Sequence, residues 1–244
     1  MVQCLILTGN KHKGPATKTA GPHRIATALR DNGFSAQVID ISYFTNQDNL
    51  LQVISRFIDE KTLWVGFSNT FMDMFCGTAW PDMRHADDSI VQALQDFAGK
   101  LRQINPCIRL IYGNGGLRQN IPGFVKFEGF VDGEIVRYTI ACTENNDSSN
   151  DVYCKEYPDF ITSKITWTER DLFNGERAVP IEISRGCIFR CDFCRFPLNG
   201  KKKFDYAKDP ETLYEELSYN WEHFGIKDYI LTDDTLNDSM IKLE

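Results

Sequence analysis

Short apolar runs and helical patterns follow one another through the first half of the chain, and this limits the fold more than any other feature. Residues 3–8 (Gln-Cys-Leu-Ile-Leu-Thr) form an apolar run that stops at Gly9. A run of that length, bounded by a turn residue, suits a strand buried on both faces. Ile25, Ala28 and Leu29 then recur at helical spacing and stop at Gly33, a helix-end residue. Further apolar runs lie at 36–41, 63–67, 108–112 and 124–127. Two further helical patterns are marked by Leu50, Leu51, Ile54 and Ile58, and by Ile90, Val91, Leu94, Phe97 and Leu101. Strands that alternate with helices predict a parallel sheet covered on both faces. Crossovers of the usual hand make it a Rossmann-like, doubly wound α/β domain, here of five strands. Such sheets bind ligands beyond the carboxyl ends of their strands. Those ends are residues 9–14, 42–44, 68–70 and 113–116.

Residues 143–151 (Thr-Glu-Asn-Asn-Asp-Ser-Ser-Asn-Asp) are polar and aperiodic, which marks a domain boundary. The expected organisation is a first domain over 1–142, a linker over 143–179 and the beginning of a second domain over 180–244. A strand at 180–183 runs into Ser184-Arg185-Gly186-Cys187. Asp209 as N-cap and Pro210 at the first helical position open a helix over 210–224. A strand at 229–232 leads to Asp233-Asp234. No internal repeat is visible.

Charge and cysteine usage narrow the function. The formal net charge is −7, which argues against general nucleic-acid binding, because phosphate contacts need a basic surface. The run Lys201-Lys202-Lys203 is the one dense basic patch and reads as a solvated loop. No segment approaches the roughly 18 apolar residues of a membrane span. The first eight residues do not read as a secretory leader, so a cytoplasmic protein is expected. Of the 8 cysteines, Cys4, Cys76, Cys107, Cys142 and Cys154 are scattered and read as small buried apolar residues. The other three are clustered, and in a reducing compartment clustered cysteines point to metal rather than to disulfides.

The cluster is Cys187-Ile-Phe-Arg-Cys191-Asp-Phe-Cys194, a C-x₃-C-x₂-C motif. Thiolates are soft ligands suited to iron–sulfur centres. Three of them wrap three corners of a cubane and leave the fourth iron open to a chelating ligand. Two other readings stand beside this one. The spacing i, i+4, i+7 is also one face of a helix, where three cysteines pack in a core. Structural zinc is the other, but it asks for a fourth ligand, and nothing marks Cys154 as that ligand. Gly186 before the motif and Pro197 after it favour a loop.

The segment Ile183-Ser-Arg-Gly-Cys-Ile-Phe-Arg-Cys-Asp-Phe-Cys194 resembles the radical S-adenosylmethionine superfamily. Its motif is C-x₃-C-x-aromatic-C, and Phe193 supplies the aromatic. The Arg-Gly pair, the following helix and the strand ending Leu231-Thr-Asp-Asp-Thr-Leu236 resemble the subgroup with cobalamin-dependent members and methylthiotransferases. The resemblance implies that Cys187, Cys191 and Cys194 hold a 4Fe-4S cluster whose open iron binds S-adenosylmethionine. It also implies reductive cleavage of that cofactor to methionine and a 5′-deoxyadenosyl radical, with Phe193 beside the adenine. The electron would come from a donor such as flavodoxin or ferredoxin. Where the family often has Gly-Gly-Glu, this chain has Asp233-Asp234. These acids are candidate contacts for the cofactor's amino group, with a solvated strand end or helix cap as the alternative.

An α/β domain ahead of such a barrel resembles the cobalamin-binding domain of many members. Where cobalamin has a lower axial histidine, the loop after the first strand reads D-x-H-x-x-G; here it reads Asn10-Lys-His12-Lys-Gly14. His12 is the candidate ligand, with an ordinary loop histidine as the alternative, and cobalamin itself is an open possibility. Asn114-Gly115-Gly116 resembles a Gly-rich turn near that cofactor. Only two strands are legible after residue 180, so the resemblance implies the first two β/α units of a partial TIM barrel. The implied chain is a fragment, a truncated gene product or half of a split enzyme, whose exposed strand edge implies self-association or a second polypeptide supplying the later strands. The competing function class is a non-catalytic iron–sulfur or zinc-binding module with an α/β ligand-binding domain.

Overall fold

The computed structural model describes residues 1–9, 18–40, 47–68, 88–114, 121–129, 131–146, 150–154, 160–172, 178–184 and 207–232. It divides into two compact units, Met1–Cys154 and Lys155–Glu244. In the first, β1 (Cys4–Thr8), α1 (Ala20–Asp31), β2 (Ala36–Asp40), α2 (Gln47–Ile54) and β3 (Trp64–Phe67) follow in order. Then come α3 (Asp88–Ile104), β4 (Arg109–Asn114), β5 (Val125–Glu128), α4 (Asp132–Thr143) and β6 (Val152–Tyr153). The strands form one parallel sheet in the order β2-β1-β3-β4-β5-β6.

Period-two alternation sends successive side chains to opposite faces, and both faces are apolar. Leu5 and Leu7 of β1 join Val65, Phe67, Leu110 and Tyr112 beneath Leu50 and Ile54 of α2 and Leu94, Phe97 and Leu101 of α3. Cys4 and Ile6 face the other way. They join Val38, Trp64, Ile111 and Phe127 beneath Ala26 and Leu29 of α1 and Ile135, Val136 and Cys142 of α4. Two-sided burial explains why the strands read as continuous apolar runs.

The sheet has six strands, not the five expected from sequence. Neither α4 nor β6 announces itself, and the sixth strand lies inside the stretch read as linker. Helix α4 opens Asp132-Gly133 and mixes β-branched with polar residues, so its apolar stripe is faint. Tertiary links fix it instead: the buried Arg24 guanidinium pairs with Asp132. Trp64 Nε1 donates to Thr139 Oγ1 at 3.0 Å. Strand β6 is only two residues long and pairs Val152 with Phe127. Asp151 prepares that pairing by accepting from Lys126 N at 3.1 Å.

The second unit holds β7 (Ala178–Ile181), α5 (Pro210–Phe224) and β8 (Asp228–Leu231), a β-α-β arrangement whose strands pair in parallel. The expected cap is present: Asp209 accepts from Thr212 N at 3.0 Å, with Pro210 opening the helix. Gly225 ends the helix at φ +65, and Ile226 N donates to Asn220 O at 3.2 Å, a glycine-dependent C-cap. The fold is therefore α/β in both units. Among the described residues, no helix is long and apolar enough to cross a membrane.

Candidate functional site

The stretch that carries the three clustered cysteines has a defined foot in the second unit. Beyond β7, Ser184 forms an antiparallel bridge with Ala207. The next residue, Lys208, donates its backbone N–H to Ile183 O at 2.7 Å. The chain before 185 and the chain after 206 are thereby held side by side. Lys208 then sends its ammonium inward to Glu216 Oε2 of α5 at 2.5 Å, over the ring of Phe160. Glu216 Oε1 accepts from Ile165 N at 3.0 Å. Both side chains are almost fully buried, at 2% and 1% exposure.

The second feature lies at the carboxyl ends of the strands in the first unit. Because β1 sits between β2 and β3, the strand order reverses at β1, and the crevice beside such a reversal is where open α/β sheets take ligands. Thr8 ends β1 with no exposed surface. Its hydroxyl meets Thr19 Oγ1 at 2.9 Å, and Ser68, just past β3, donates Oγ to Thr8 Oγ1 at 2.9 Å. Thr19 is the N-cap of α1, yet its side chain makes no cap bond to the helix, because it turns to Thr8. Lys18 and Asp40 are buried charged residues next to these ends. A short hydroxyl chain thus joins the ends of β1 and β3 to the start of α1.

Of these residues, Ser68 belongs to a strand end flagged from sequence. Thr8, Thr19, Lys18, Asp40, Lys208 and Glu216 were not singled out. No motif marks the threonines, and the only signal near Lys208 is the Asp209-Pro210 cap. The predicted site residues His12, Cys187, Cys191, Phe193, Cys194, Asp233 and Asp234 all lie outside the described residues. Among the described residues no group of three His, Cys, Asp or Glu side chains gathers into a metal site. The scattered cysteines divide. Cys4 and Cys142 are buried, as expected, Cys154 is half-buried and Cys107 is exposed, while Cys76 lies outside the described residues. Cys107 sits in a turn where its N–H donates to Asn105 Oδ1 at 2.9 Å. Burial pushes the Cys4 thiol far above its ordinary range, so it is inert as a ligand or nucleophile.

No known family profile matches the chain. The solved structure of TsrM from Kitasatospora setae, a radical S-adenosylmethionine methyltransferase with tryptophan and a cofactor analogue bound, superposes with a TM-score of 0.68. That match has 16% identity and covers 98% of this chain and 49% of that one. OxsB, a cobalamin-dependent S-adenosylmethionine radical enzyme, superposes with a TM-score of 0.66 at 14% identity, covering 96% of this chain and 34% of that one. This chain has the fold of these enzymes. The match takes in nearly all of this chain and about half of TsrM. An uncharacterized methyltransferase of Synechocystis sp. is 24% identical over 162 residues, which is 64% of this chain and 30% of the relative. The chain thus spans about half the length of TsrM and about a third of OxsB and of the Synechocystis relative.

Proposed function

We propose that this chain is the front part of a radical S-adenosylmethionine enzyme, with Cys187, Cys191 and Cys194 as ligands of a 4Fe-4S cluster. The supporting observation is the C-x₃-C-x₂-C motif at the exit of β7 in a fold shared with such enzymes. The donor set fits the group: three soft thiolates bind three irons and leave one open. In this reading, by the resemblance alone, Phe193 packs beside the adenine of S-adenosylmethionine, and Asp233 and Asp234 contact its amino group. When bound, the cluster supplies the electron that cleaves the cofactor to methionine and a 5′-deoxyadenosyl radical. This chain's part is to hold the thiolates, orient the cofactor and exclude water.

The first unit is read as the cobalamin-binding-like domain, with the crevice at Thr8 and Ser68 as the place for that ligand and His12 as candidate axial ligand. TsrM has been solved with cobalamin and a [4Fe-4S] cluster bound, and its likeness supports this reading. In this scheme the domain expected over 1–142 extends through β6 to Cys154, and β7, α5 and β8, expected within 180–244, open the barrel. A flavodoxin or ferredoxin delivers the electron. Thiolate ligands suit a reducing compartment, and we read the protein as cytoplasmic.

Anaerobic reconstitution tests the reading. The expected product holds about four irons and four sulfides per chain, and its electron paramagnetic resonance signal changes when S-adenosylmethionine is added. Replacing Cys187, Cys191 or Cys194 by Ala abolishes the brown absorbance; replacing the exposed Cys107 leaves it intact. Bound zinc, or a cluster indifferent to S-adenosylmethionine, identifies a non-catalytic module instead.

A further inference from the structure

We propose that the interior between α5 and β8 binds one ordered water, held by Asn220 Oδ1 and the Tyr229 hydroxyl. A helix that packs on a strand ordinarily buries an apolar stripe. The two buried residues of α5 are instead polar, Glu216 and Asn220, four positions apart and so on one face. Glu216 is engaged at both oxygens, by Lys208 Nζ and by Ile165 N. Asn220 is 1% exposed, and its Oδ1 receives no hydrogen bond. Tyr229 approaches from β8, and its hydroxyl is buried and likewise without a partner. The Asn220 side chain stands beside that phenol without completing a hydrogen bond to it. Burial raises the Tyr229 pKa most, Asn220 lowers it in part and Glu216 raises it again, so the three groups share one interior environment.

Buried polar groups left unpaired are costly, and the chemistry of these two selects what relieves the cost. An amide oxygen only accepts, whereas a phenol both donates and accepts. A ligand that donates to the first and accepts from the second satisfies both. It must also be neutral. Lys208 already balances Glu216, so a cation would lack a counter-charge, and an anion would face the carboxylate. Water meets these terms, and two such partners are the fewest that hold a buried water. The site stands whether or not the chain binds a cluster.

A crystal structure of the full chain, read together with the melting of Tyr229→Phe, tests the site. The expected result is a water at about 2.7–3.2 Å from both atoms. Tyr229→Phe keeps the ring and removes one of the two partners, so it is expected to melt about 4 °C below the wild type. A Tyr229 hydroxyl bonded directly to Asn220 Oδ1, or a water that touches only one of the two, overturns the proposal. So does a variant that melts at or above the wild type, because losing an unpaired buried hydroxyl carries no cost. If Tyr229→Phe does not fold, the wild-type structure alone decides.

Discussion

The two units solve the same problem with different means. In the first, a six-stranded sheet is apolar on both faces, and each face has its own cluster of buried side chains under two helices. In the second, two strands and one helix are described, with Phe160, Ile165, Trp167, Val179, Ile181 and Ile226 as the buried apolar set. Two paired strands alone are marginal in water. Directed polar links fasten this unit: Lys208–Glu216, Glu216 to Ile165, and Thr168 N and Oγ1 onto Asp171 at 3.0 and 2.8 Å. Apolar area is forgiving about position, whereas hydrogen bonds are not. The first unit is thus held chiefly by apolar burial and the second by directed links, and β8 pairs only with β7 among the described residues.

The comparison breaks first at Trp64. This side chain has no exposed surface and bonds Thr139 across the α4 face. Trp64→Ala is expected to destabilise the first unit by about 3–5 kcal/mol. Amide exchange checks it: protection in β1, β3 and β4 falls, while β7 and β8 keep theirs. Equal loss in both units would mean that they unfold together, and that the contrast drawn here is not one of stability.

A smaller effect sharpens the account of the sheet edge. Gly129 has φ +95, and a Cβ there would stand 2.6 Å from the carbonyl oxygen of Cys154. Gly129→Ala therefore strains the backbone and pushes β6 away, at a cost of about 1–3 kcal/mol. The loss is expected to be local. The Cys154 amide, which donates to Glu128 O at 3.0 Å, exchanges faster, and the core strands do not. A variant with full protection at Cys154 would show that β6 tolerates the shift.

How much was legible in the sequence follows from the same physics. Strands buried on both faces write themselves as apolar runs, so β1 to β5 were readable to within a residue or two. The Asp209-Pro210 cap fixed the start of α5 because a local hydrogen bond is encoded locally. Helix α4 and β6 were missed because tertiary contacts hold them: Arg24 to Asp132 spans 108 residues of sequence, and no window contains both. The doubly wound sheet was implied by alternation, but the reversal of strand order at β1 and the meeting of Thr8, Thr19 and Ser68 depend on a pairing that only folding supplies. Lys208 and Glu216 looked like ordinary charged residues, since burial of a pair leaves no mark on either alone. The cysteine motif is the opposite case. Its spacing is informative by itself, and the fold adds only the foot from which it departs.

The smallest expected effect is a slope with pH, and it reads the apolar character of the first unit through one group. Cys4 lies on β1 beneath α4, with no exposed surface. Burial raises its pKa far above the ordinary value, its hydrogen bond with Thr139 lowers it in part, and Cys142 nearby raises it again. In the unfolded chain the thiol ionises near pH 8.5. Below that value both states hold the proton, and the stabilisation is fully present. Above it the unfolded chain gives up its proton while the folded chain keeps it, so the unfolded state binds fewer protons and stability falls as pH rises. The limit for one proton is about 1.4 kcal/mol per pH unit. Tyr112, which burial also raises, adds to the slope only above about pH 10, so the window from pH 8.5 to 10 isolates the thiol. Urea unfolding of the first unit across that window is expected to show the decline, and Cys4→Ala to remove up to one proton's share of it. An identical slope in the variant would mean that water reaches Cys4 as the sheet breathes, and that this face of the core is less tightly closed than the other.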